Sequence, residues 1–337
     1  MSTPPQTYRL PRLNETFSVF PSNGVNPHFS ECRAQSREWA SPYYTLVFPP
    51  DVRVDLENCN FELVSAYALP YANPDGLSAS MDCYNLTWMF DEVTDRLSGK
   101  AAAEAAAVVS RALRDIDYDN GTALCRMTRD YRCNHIEKFG SNVARRFIAN
   151  FCQYVEHTAT EAMLRERDQV LDINGYISLR RGAVGGRIVF DLVEYALGLD
   201  LPQYVHEDPV FIGALNAGVD LLAFTNDLFS YDMEQAKGHS AANIITVVMK
   251  SKGTDLQSAV DFVAGYCECL IRQLLDAKAV FTSHTDPVFS RDAARWLDGV
   301  GDWVRGNEEW CFATERYFGK QNKLVNETRI VELTKRL

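Results

Sequence analysis

The stretch NDLFSYDMEQAKG, which begins at Asn226, combines oxygen-bearing side chains with a helical spacing. At 100° per residue, Asn226, Ser230 and Glu234 lie on one helix face over about two turns, and Lys237 follows one turn later. Three oxygen ligands at this spacing suit Mg²⁺, which favours carboxylates together with the phosphates of a substrate. Lys237 could then meet a phosphate directly. A solvated helix end with a C-cap at Gly238 is an equally good interpretation of this stretch alone.

The same helix face is apolar before it becomes polar. Leu215, Val219, Leu222 and Ala223 lie on the side that later carries Asn226. A helix packed only in a core would stay apolar along this face, and a surface helix would be polar along all of it. The mixture predicts a helix that lines a cavity with an apolar floor and a charged mouth.

A second segment, MDCYNLTWMFDEVTD, shows the same order of chemistry. Tyr84, Thr87 and Trp88 share a helix face with Asp91 and Asp95, which follow them. Two carboxylates four residues apart repel each other unless they are solvated or bound to a cation. If the two helices run parallel beside each other, both carboxylate sets reach one rim above one apolar pocket. Taken alone, this segment fits a solvated acidic face as well.

These segments resemble the two metal-binding motifs of class I terpene synthases. The run DEVTD, which begins at Asp91, is similar to the aspartate-rich motif of that family. NDLFSYDME is similar to the second motif, with Asn226, Ser230 and Glu234 as its ligands. Glu92 stands where many members of the family have a second aspartate, which leaves Asp91 as the main ligand of the first motif.

Two further segments carry the resemblance across most of the chain. YISLRRGAVGG resembles the segment that holds the diphosphate-sensing arginine, and Arg180 lies 46 residues before Asn226, as the family spacing requires. Arg181 follows directly and is the alternative sensor. GNEEWCFATERY resembles the C-terminal stretch that ends in an Arg-Tyr pair, here Arg316 and Tyr317. The four segments occur in the family's order, and the whole is most similar to the fungal, basidiomycete-like sesquiterpene cyclases.

The resemblance implies a magnesium-dependent reaction of farnesyl diphosphate. Three Mg²⁺ ions and cationic donors would neutralise the departing diphosphate, and the carbocation left behind would cyclise to a sesquiterpene hydrocarbon or alcohol. The implied metal ligands are Asp91, Asp95, Asn226, Ser230 and Glu234. The implied diphosphate-binding residues are Arg180, Lys237, Arg316 and Tyr317.

A carbocation needs a dry cavity with aromatic faces, each worth about 2 kcal/mol or more when the contact is desolvated. Trp88 lies one turn below Asp91, and Trp310 lies six residues before Arg316. Both are candidates for the cavity wall. Tyr84 and Phe224 are weaker candidates, because aromatic residues at helical spacing usually belong to a core.

Helical patterns dominate the chain beyond its first residues. The alanine-rich run AAAEAAAVVSRALRDI favours a helix. Helical spacing also fits the ranges 28–40, 54–69, 78–97, 139–167, 186–198, 208–237, 241–251, 255–281 and 288–317. The expected fold is therefore all-α, a single helical bundle around a central apolar cavity. We expect a loose N-terminal arm at 1–27, a cyclase domain at 28–320 and a C-terminal tail at 321–337.

The composition of the chain argues against some classes of binding partner. The net charge of −11 argues against nucleic-acid binding, since such proteins carry basic patches. No run of eighteen apolar residues occurs, so no membrane span is expected. The first residues lack the apolar segment of a signal peptide, and the nine scattered cysteines fit buried reduced thiols. These features predict a cytoplasmic protein, either a monomer or a homodimer.

Two other functions compete with cyclisation. A chain-elongating prenyltransferase of the same fold would carry a second DDxxD motif where this chain has Asn226, Ser230 and Glu234. A non-catalytic helical scaffold would leave the two matching polar rims unexplained.

Overall fold

Helices make up about three quarters of the protein in a computed structural model that describes residues 6–167 and 169–335. The expected all-α fold is confirmed. The α-helices are α1 (Leu13–Thr16), α2 (Phe29–Val47), α3 (Pro50–Cys59), α4 (Phe61–Ala68), α5 (Pro74–Thr94), α6 (Gly99–Arg114), α7 (Ala123–Asn134), α8 (Ser141–Glu166), α9 (Ile173–Ala183), α10 (Gly186–Ala196), α11 (Gln203–His206), α12 (Pro209–Lys237), α13 (Ile244–Lys252), α14 (Leu256–Thr282), α15 (Ala294–Ala313) and α16 (Asn322–Thr328).

The two helices that carry the acidic motifs, α5 and α12, begin with strong local signals. The Asn73 side chain caps α5 by accepting a hydrogen bond from the Gly76 N–H, and Asp208 caps α12 in the same way. Each helix has a proline in its first turn, where the missing N–H is not needed. Gly238 then ends α12 in the left-handed conformation, with φ of 76°. These signals fix the ends of the two helices, and therefore the position of each acidic motif along its helix axis.

Each motif helix is supported from behind by other helices. α5 packs against α2 and α4, while α12 packs against α14 and α15. α15 in turn packs tightly on α4, where a side chain at Gly306 would lie 2.5 Å from the Tyr67 backbone. The buried apolar residues form one continuous core around these contacts. The helices therefore hold their cavity-facing residues in a fixed register.

The sequence wrongly predicts one helix over 54–69. The structure has two helices there, α3 and α4, which meet at Asn60 in the left-handed conformation with φ of 46°. The Trp310 indole N–H donates to the carbonyls of Cys59 and Asn60 at 3.2 and 3.1 Å, so a distant residue stabilises the break. The prediction also omitted α7 and α9, and α15 ends at Ala313, before the range 288–317 does.

The N-terminal arm is not loose in its described part, which corrects the expectation for 1–27. Strand β1 (Thr7–Arg9) pairs antiparallel with β2 (Ile330–Glu332), and we call this pair the terminal strap. Tyr8, Leu10 and Phe17 are buried, which explains why the arm packs on the bundle. Beyond β2, the backbone N–H and the hydroxyl of Thr334 donate to the Asp232 carboxylate of α12 at 2.7 and 2.9 Å.

Replacing Tyr8 with alanine is expected to lower the free energy of unfolding by about 3 kcal/mol, because it empties a buried aromatic site. Thr7 is the matched control, since its side chain is exposed on the other face of the strand. Thr7→Ala should change the free energy by about 0.5 kcal/mol or less. Urea denaturation measures both. Equal, small effects would show that the strap does not stabilise the fold.

One helix in the described chain, α12, is long and apolar enough to cross a membrane by length and composition. Its most apolar 18-residue window is 61% buried within the protein. A core helix of a globular protein passes the same test, so this is weak evidence for a span. All nine cysteines are free thiols, and six of them are buried; Cys59 is half-buried, and Cys133 and Cys269 are exposed, which corrects the expectation of burial for those residues.

Candidate active site

A central cavity of about 850 Å³, counting the space open to solvent at its mouth, separates α5 from α12. On α5 the lining runs from Cys83 and Tyr84 through Trp88 to Asp91, and on α12 it runs from Leu222 to Asn226. Both helices therefore change from apolar to polar in the same direction, toward their C-terminal ends. The sequence placed the two helices beside each other, whereas the structure places them across the cavity with their polar ends at one mouth.

The acidic end of α5 presents one carboxylate to the cavity and one to its rim. Asp91 lines the cavity, while Asp95 is exposed and accepts a hydrogen bond from the Arg165 guanidinium at 3.0 Å. Burial and the charge of Asp95 together raise the pKa of Asp91 to about 7. A cation bound near the two carboxylates would stabilise their ionised forms and so offset the effects of burial and of mutual repulsion, so this end of α5 fits a metal ion.

The end of α12 offers three oxygen ligands of different kinds. The Ser230 hydroxyl is buried and makes no hydrogen bond of good geometry to the described residues. Glu234 accepts a hydrogen bond from the Asn243 amide at 3.0 Å, and burial and the charge of Asp227 raise its pKa. The Ser230 hydroxyl lies close enough to Glu234 to lower the pKa of that carboxyl, and a hydroxyl and a carboxylate side by side are oxygen ligands of the kind that Mg²⁺ prefers.

The carboxylates of α5 and the carboxylate of α12 do not form one metal-binding cluster in this structure. Within residues 6–167 and 169–335, no group of three His, Cys, Asp or Glu side chains is placed to hold a metal ion by itself. The two acidic ends belong to opposite walls, and Asn226 and Ser230 supply neutral ligands. A substrate diphosphate would have to bridge the two sides, as Mg²⁺ sites with few protein carboxylates require.

Arg180 and its neighbour Arg181 point in different directions from α9. Arg180 lines the cavity, where its guanidinium donates to the side-chain Oδ1 of Asn226 at 2.7 Å and to the Asp227 carboxylate at 3.0 Å. Arg181 instead forms a bidentate ion pair with Asp220, in which both N···O distances are 2.7 Å. Neither residue lines the cavity. Of the two candidate sensors, only Arg180 can reach an anion in the cavity from this arrangement.

Two acidic side chains that the sequence did not predict as site residues bind Arg180. Asp227 accepts hydrogen bonds from the Tyr176 hydroxyl, from Arg180 and from the backbone N–H of Ile244. Glu161 lies 3.7 Å from Arg180 on the other side, and burial raises its pKa to about 7 although Arg180 opposes the shift. Asp227 could have been suspected from its place inside the second motif, but Glu161 gave no sequence signal.

The C-terminal pair lies in the loop after α15, at the same mouth. The Tyr317 hydroxyl accepts a hydrogen bond from the Asn226 side-chain N–H at 2.7 Å. The centre of the Arg316 guanidinium lies 4.5 Å from the Trp88 ring centroid and 5.9 Å from that of Phe61. Arg316 is half-buried beside the Cys59 thiol, and among the described residues it forms no ion pair with a carboxylate. Burial lowers its pKa, but nearby groups, among them Asp91 and Glu92, raise it overall, so Arg316 stays charged and can bind an anion.

Aromatic residues form much of the wall below the mouth. Trp88 and Trp310 both line the cavity, and Phe61 stacks on Trp88 with centroids 4.1 Å apart. Tyr84 also lines it. Phe224 does not, which corrects the expectation: it lies two residues after Leu222, about 200° around the helix, and packs on Tyr266 of α14.

Two predicted diphosphate ligands, Arg316 and Lys237, are not part of the cavity lining, and Lys237 is the more exposed of the two. Its side chain is exposed and borders a groove on the other side of Tyr317. Lys237 and Asp95 both lie close enough to His239 for their charges to affect the pKa of that imidazole. Because Asp95 is at the rim of the mouth, Lys237 is near the rim as well. Lys237 lies in the last turn of α12, beyond the part of the helix that lines the cavity.

Known proteins share both the sequence and this architecture. A model of terpene synthase family 2, C-terminal metal binding, matches residues 82–273. A sesquiterpene synthase of Galerina marginata is 59% identical over 99% of this chain and 97% of its own length, and one of Sphaerobolus stellatus is 58% identical over 97% and 94%. A solved hedycaryol synthase in complex with HEPES superposes with a TM-score of 0.78 at 24% identity, over 90% of this chain and 98% of its own. The chain is a member of the terpene synthase family.

Proposed function

We propose that this enzyme is a sesquiterpene synthase that ionises farnesyl diphosphate and cyclises the resulting carbocation, releasing diphosphate. The observation that carries the proposal is the single mouth at which Asp91, Asn226 and Arg180 meet above an apolar, aromatic cavity. A diphosphate at this mouth would place the attached hydrocarbon chain among Trp88, Trp310 and the aliphatic wall. The relatives from Galerina marginata and Sphaerobolus stellatus bear the name sesquiterpene synthase.

The metal ligands are assigned to the two acidic ends. Asp91 and Asp95 would hold two Mg²⁺ ions, and Asn226, Ser230 and Glu234 would hold a third. When bound, these ions supply the positive charge that neutralises the departing diphosphate. Arg165 now pairs with Asp95, and Arg180 with Asn226, so each guanidinium would have to share or release its oxygen when a metal binds.

The protein's own cations complete the diphosphate site. Arg180 and Arg316 are half-buried at the mouth and can donate to phosphate oxygens through their planar forks. The Tyr317 hydroxyl, which now accepts from Asn226, can turn to donate to the same group. Lys237 would act from the rim. Closure of the loop that carries Arg316 and Tyr317 would exclude water from the cation.

The apolar walls would steer the cation after ionisation. Phe61 covers one side of Trp88, which keeps the indole fixed against the cavity. Trp310 is fixed by its hydrogen bonds to the break between α3 and α4. Both rings can stabilise positive charge along the hydrocarbon chain, and neither needs to take part in diphosphate departure.

Replacing Trp88 with leucine is expected to change the products more than the rate. The loss of about 1–2 kcal/mol of cation–π stabilisation should divert the reaction to acyclic or early-terminated products. Diphosphate release should persist to within about tenfold, because metals and arginines promote that step. Gas chromatography and a diphosphate assay measure the two effects. Phe224→Leu, which alters an aromatic residue that faces away from the cavity, should keep the wild-type profile.

Incubation of the purified protein with geranyl, farnesyl and geranylgeranyl diphosphates, with and without Mg²⁺, tests the proposed function. We expect cyclic fifteen-carbon products from farnesyl diphosphate only when Mg²⁺ is present. Chain-elongated diphosphates formed on addition of isopentenyl diphosphate would instead support a prenyltransferase. A protein whose melting temperature does not rise with Mg²⁺ and pyrophosphate would be a scaffold.

The remaining assignments complete the proposal. The catalytic residues lie within 28–320, while the segments 1–27 and 321–337 contribute the terminal strap that supports α12. We assign the enzyme to the cytoplasm, as a monomer or a homodimer, with farnesyl diphosphate as its small-molecule partner.

A further inference from the structure

Two polar residues of α12 lie next to the proposed magnesium ligands but face away from the cavity. Asp232 stands between Ser230 and Glu234, and Gln235 follows Glu234. Asp232 comes two residues after Ser230, so it lies about 200° around the helix from that ligand. Asp232 and Gln235 line a groove on the outer side of Tyr317 and are not part of the cavity lining. Neither residue has a role in the proposed function.

Both side chains bind Thr334, which lies two residues beyond β2. The Thr334 backbone N–H and hydroxyl donate to the two oxygens of the Asp232 carboxylate at 2.7 and 2.9 Å. The Gln235 side-chain N–H donates to the Thr334 carbonyl at 2.6 Å. Hydrogen bonds to an ionised carboxylate are stronger than those between neutral groups. All three polar groups of Thr334 therefore bind the last turns of α12.

Thr334 is held in place by contacts that do not involve α12. The Leu333 N–H donates to the Gln6 carbonyl at 2.8 Å, which continues the pairing of the terminal strap. Gln257 of α14 binds the strap through β1, since its side chain accepts from the Arg9 N–H at 2.8 Å and donates to the Arg9 carbonyl at 3.1 Å. The strap is thus attached to α14, and it can support α12 from a fixed position.

The ligand-bearing part of α12 is the part of a helix that most needs such support. Ser230 and Glu234 lie within about two turns of the end of α12 at Lys237. The last turns of a helix lack partners for some carbonyls and open more readily than its middle. On the inner side, the Asn243 amide donates to the Asp227 carbonyl and to Glu234 at 2.8 and 3.0 Å. On the outer side, the support comes from the strap.

Mg²⁺ requires nearly octahedral coordination, so a small displacement of its ligands weakens binding. We propose that Asp232 is a positioning residue for magnesium binding: through its bonds to Thr334, the terminal strap keeps Ser230 and Glu234 in place from the side opposite the cavity. Asp232 itself faces away from the site and holds no ion. This inference rests on the proposed function, which assigns Ser230 and Glu234 as ligands.

The test compares Asp232→Ala with the wild-type enzyme by diphosphate release over a range of Mg²⁺ concentrations. We expect the half-saturating Mg²⁺ concentration to rise about tenfold, as it does when residues that support metal ligands are lost. At saturating Mg²⁺, kcat should stay within about twofold of the wild-type value, because the occupied site is unchanged. Titration calorimetry with Mg²⁺ and pyrophosphate, in the absence of farnesyl diphosphate, should show the same weaker binding.

Hydrogen–deuterium exchange of the metal-free protein gives a readout that does not depend on activity. Backbone amides in the last two turns of α12 should exchange faster in Asp232→Ala than in the wild type. Amides in the first turns of α12 should exchange at the wild-type rate, since the strap does not support them. A general loss of stability would instead raise exchange along the whole helix.

Two substitutions at Thr334 separate positioning from misfolding of the first variant. Thr334→Val keeps the shape of the side chain but removes the hydroxyl donor, so it should raise the half-saturating Mg²⁺ concentration in the same direction by a smaller factor. Thr334→Ser keeps the hydroxyl and should keep the wild-type value. Glu332→Ala is the matched control, because it removes an exposed carboxylate from the same groove. Its Mg²⁺ dependence should match that of the wild type.

Unchanged Mg²⁺ dependence in both Asp232→Ala and Thr334→Val would overturn this inference alone. So would an equal shift in Glu332→Ala, which would indicate a general effect of charge in the groove. A lower kcat at saturating Mg²⁺ with an unchanged half-saturating concentration would also overturn it, because Asp232 would then serve stability only. Failure of the wild type to consume farnesyl diphosphate would overturn the proposed function, and this inference with it.

Discussion

Replacing Asp91 with asparagine is expected to lower kcat/KM for farnesyl diphosphate at least a hundredfold, or about 2.7 kcal/mol of transition-state stabilisation. Asparagine keeps the size of the side chain and one oxygen, but it removes the negative charge that would attract Mg²⁺. Asp91 is the carboxylate of the first motif that lines the cavity. Steady-state diphosphate release over a range of Mg²⁺ concentrations measures the loss, and higher Mg²⁺ should recover part of it.

Glu92→Gln is the matched control for this experiment. Glu92 is the next residue along α5 and pairs with Arg96 in the turn that follows this helix, and it lies outside the cavity lining. Its loss should change kcat/KM by about threefold or less, in keeping with the small contribution of an exposed ion pair. Equal losses in the two variants would contradict the assignment of Asp91. Full turnover in EDTA would contradict the need for a metal.

Replacing Arg180 with lysine should also lower kcat/KM at least a hundredfold. Lysine keeps the charge next to Asp227 and Glu161, so the buried acids retain a counter-ion. It lacks the planar fork that can donate to two phosphate oxygens at once. Single-turnover kinetics should show the loss in the ionisation step, because Arg180 is the arginine of α9 that reaches the cavity.

Arg181→Lys provides the comparison, since it makes the same chemical change one residue away. Arg181 binds Asp220 outside the cavity lining, so this variant should lose stability rather than activity. We expect a lower melting temperature and a kcat/KM within about fivefold of wild type. The reverse pattern, with Arg181→Lys inactive and Arg180→Lys active, would identify Arg181 as the sensor.

The two motif helices could be predicted from sequence because their signals are local. Asn73 and Asp208 act as N-caps, Gly238 ends α12, and a change from apolar to polar residues along one face marks the cavity. Each of these features depends on residues a few positions apart. The height of Asp91 above Trp88, and of Asn226 above Leu222, follows from helix geometry alone.

Features that depend on distant contacts could not be predicted in this way. The break at Asn60 is stabilised by the indole of Trp310, and Glu161 is held by Arg180 from the next helix. Burial of an acid such as Asp227 depends on Tyr176 and Ile244, which periodicity does not connect to it. Phe224 is a different case, because it lies about 200° around α12 from Leu222 and so faces Tyr266 of α14 instead of the cavity.

The terminal strap bears on how the chain folds. Tyr8 pairs with Val331, so the strap joins residues separated by almost the whole sequence. Closing so long a loop is entropically unfavourable until the bundle has brought the two strands together, and β2 follows all the helices in the sequence, so it is synthesised after them. We therefore expect the strap to form after the transition state for folding. Tyr8→Ala should accordingly speed unfolding and leave the refolding rate nearly unchanged. Since Thr334 binds Asp232, between Ser230 and Glu234, the final turns of α12 would be among the last parts of the enzyme to become fixed.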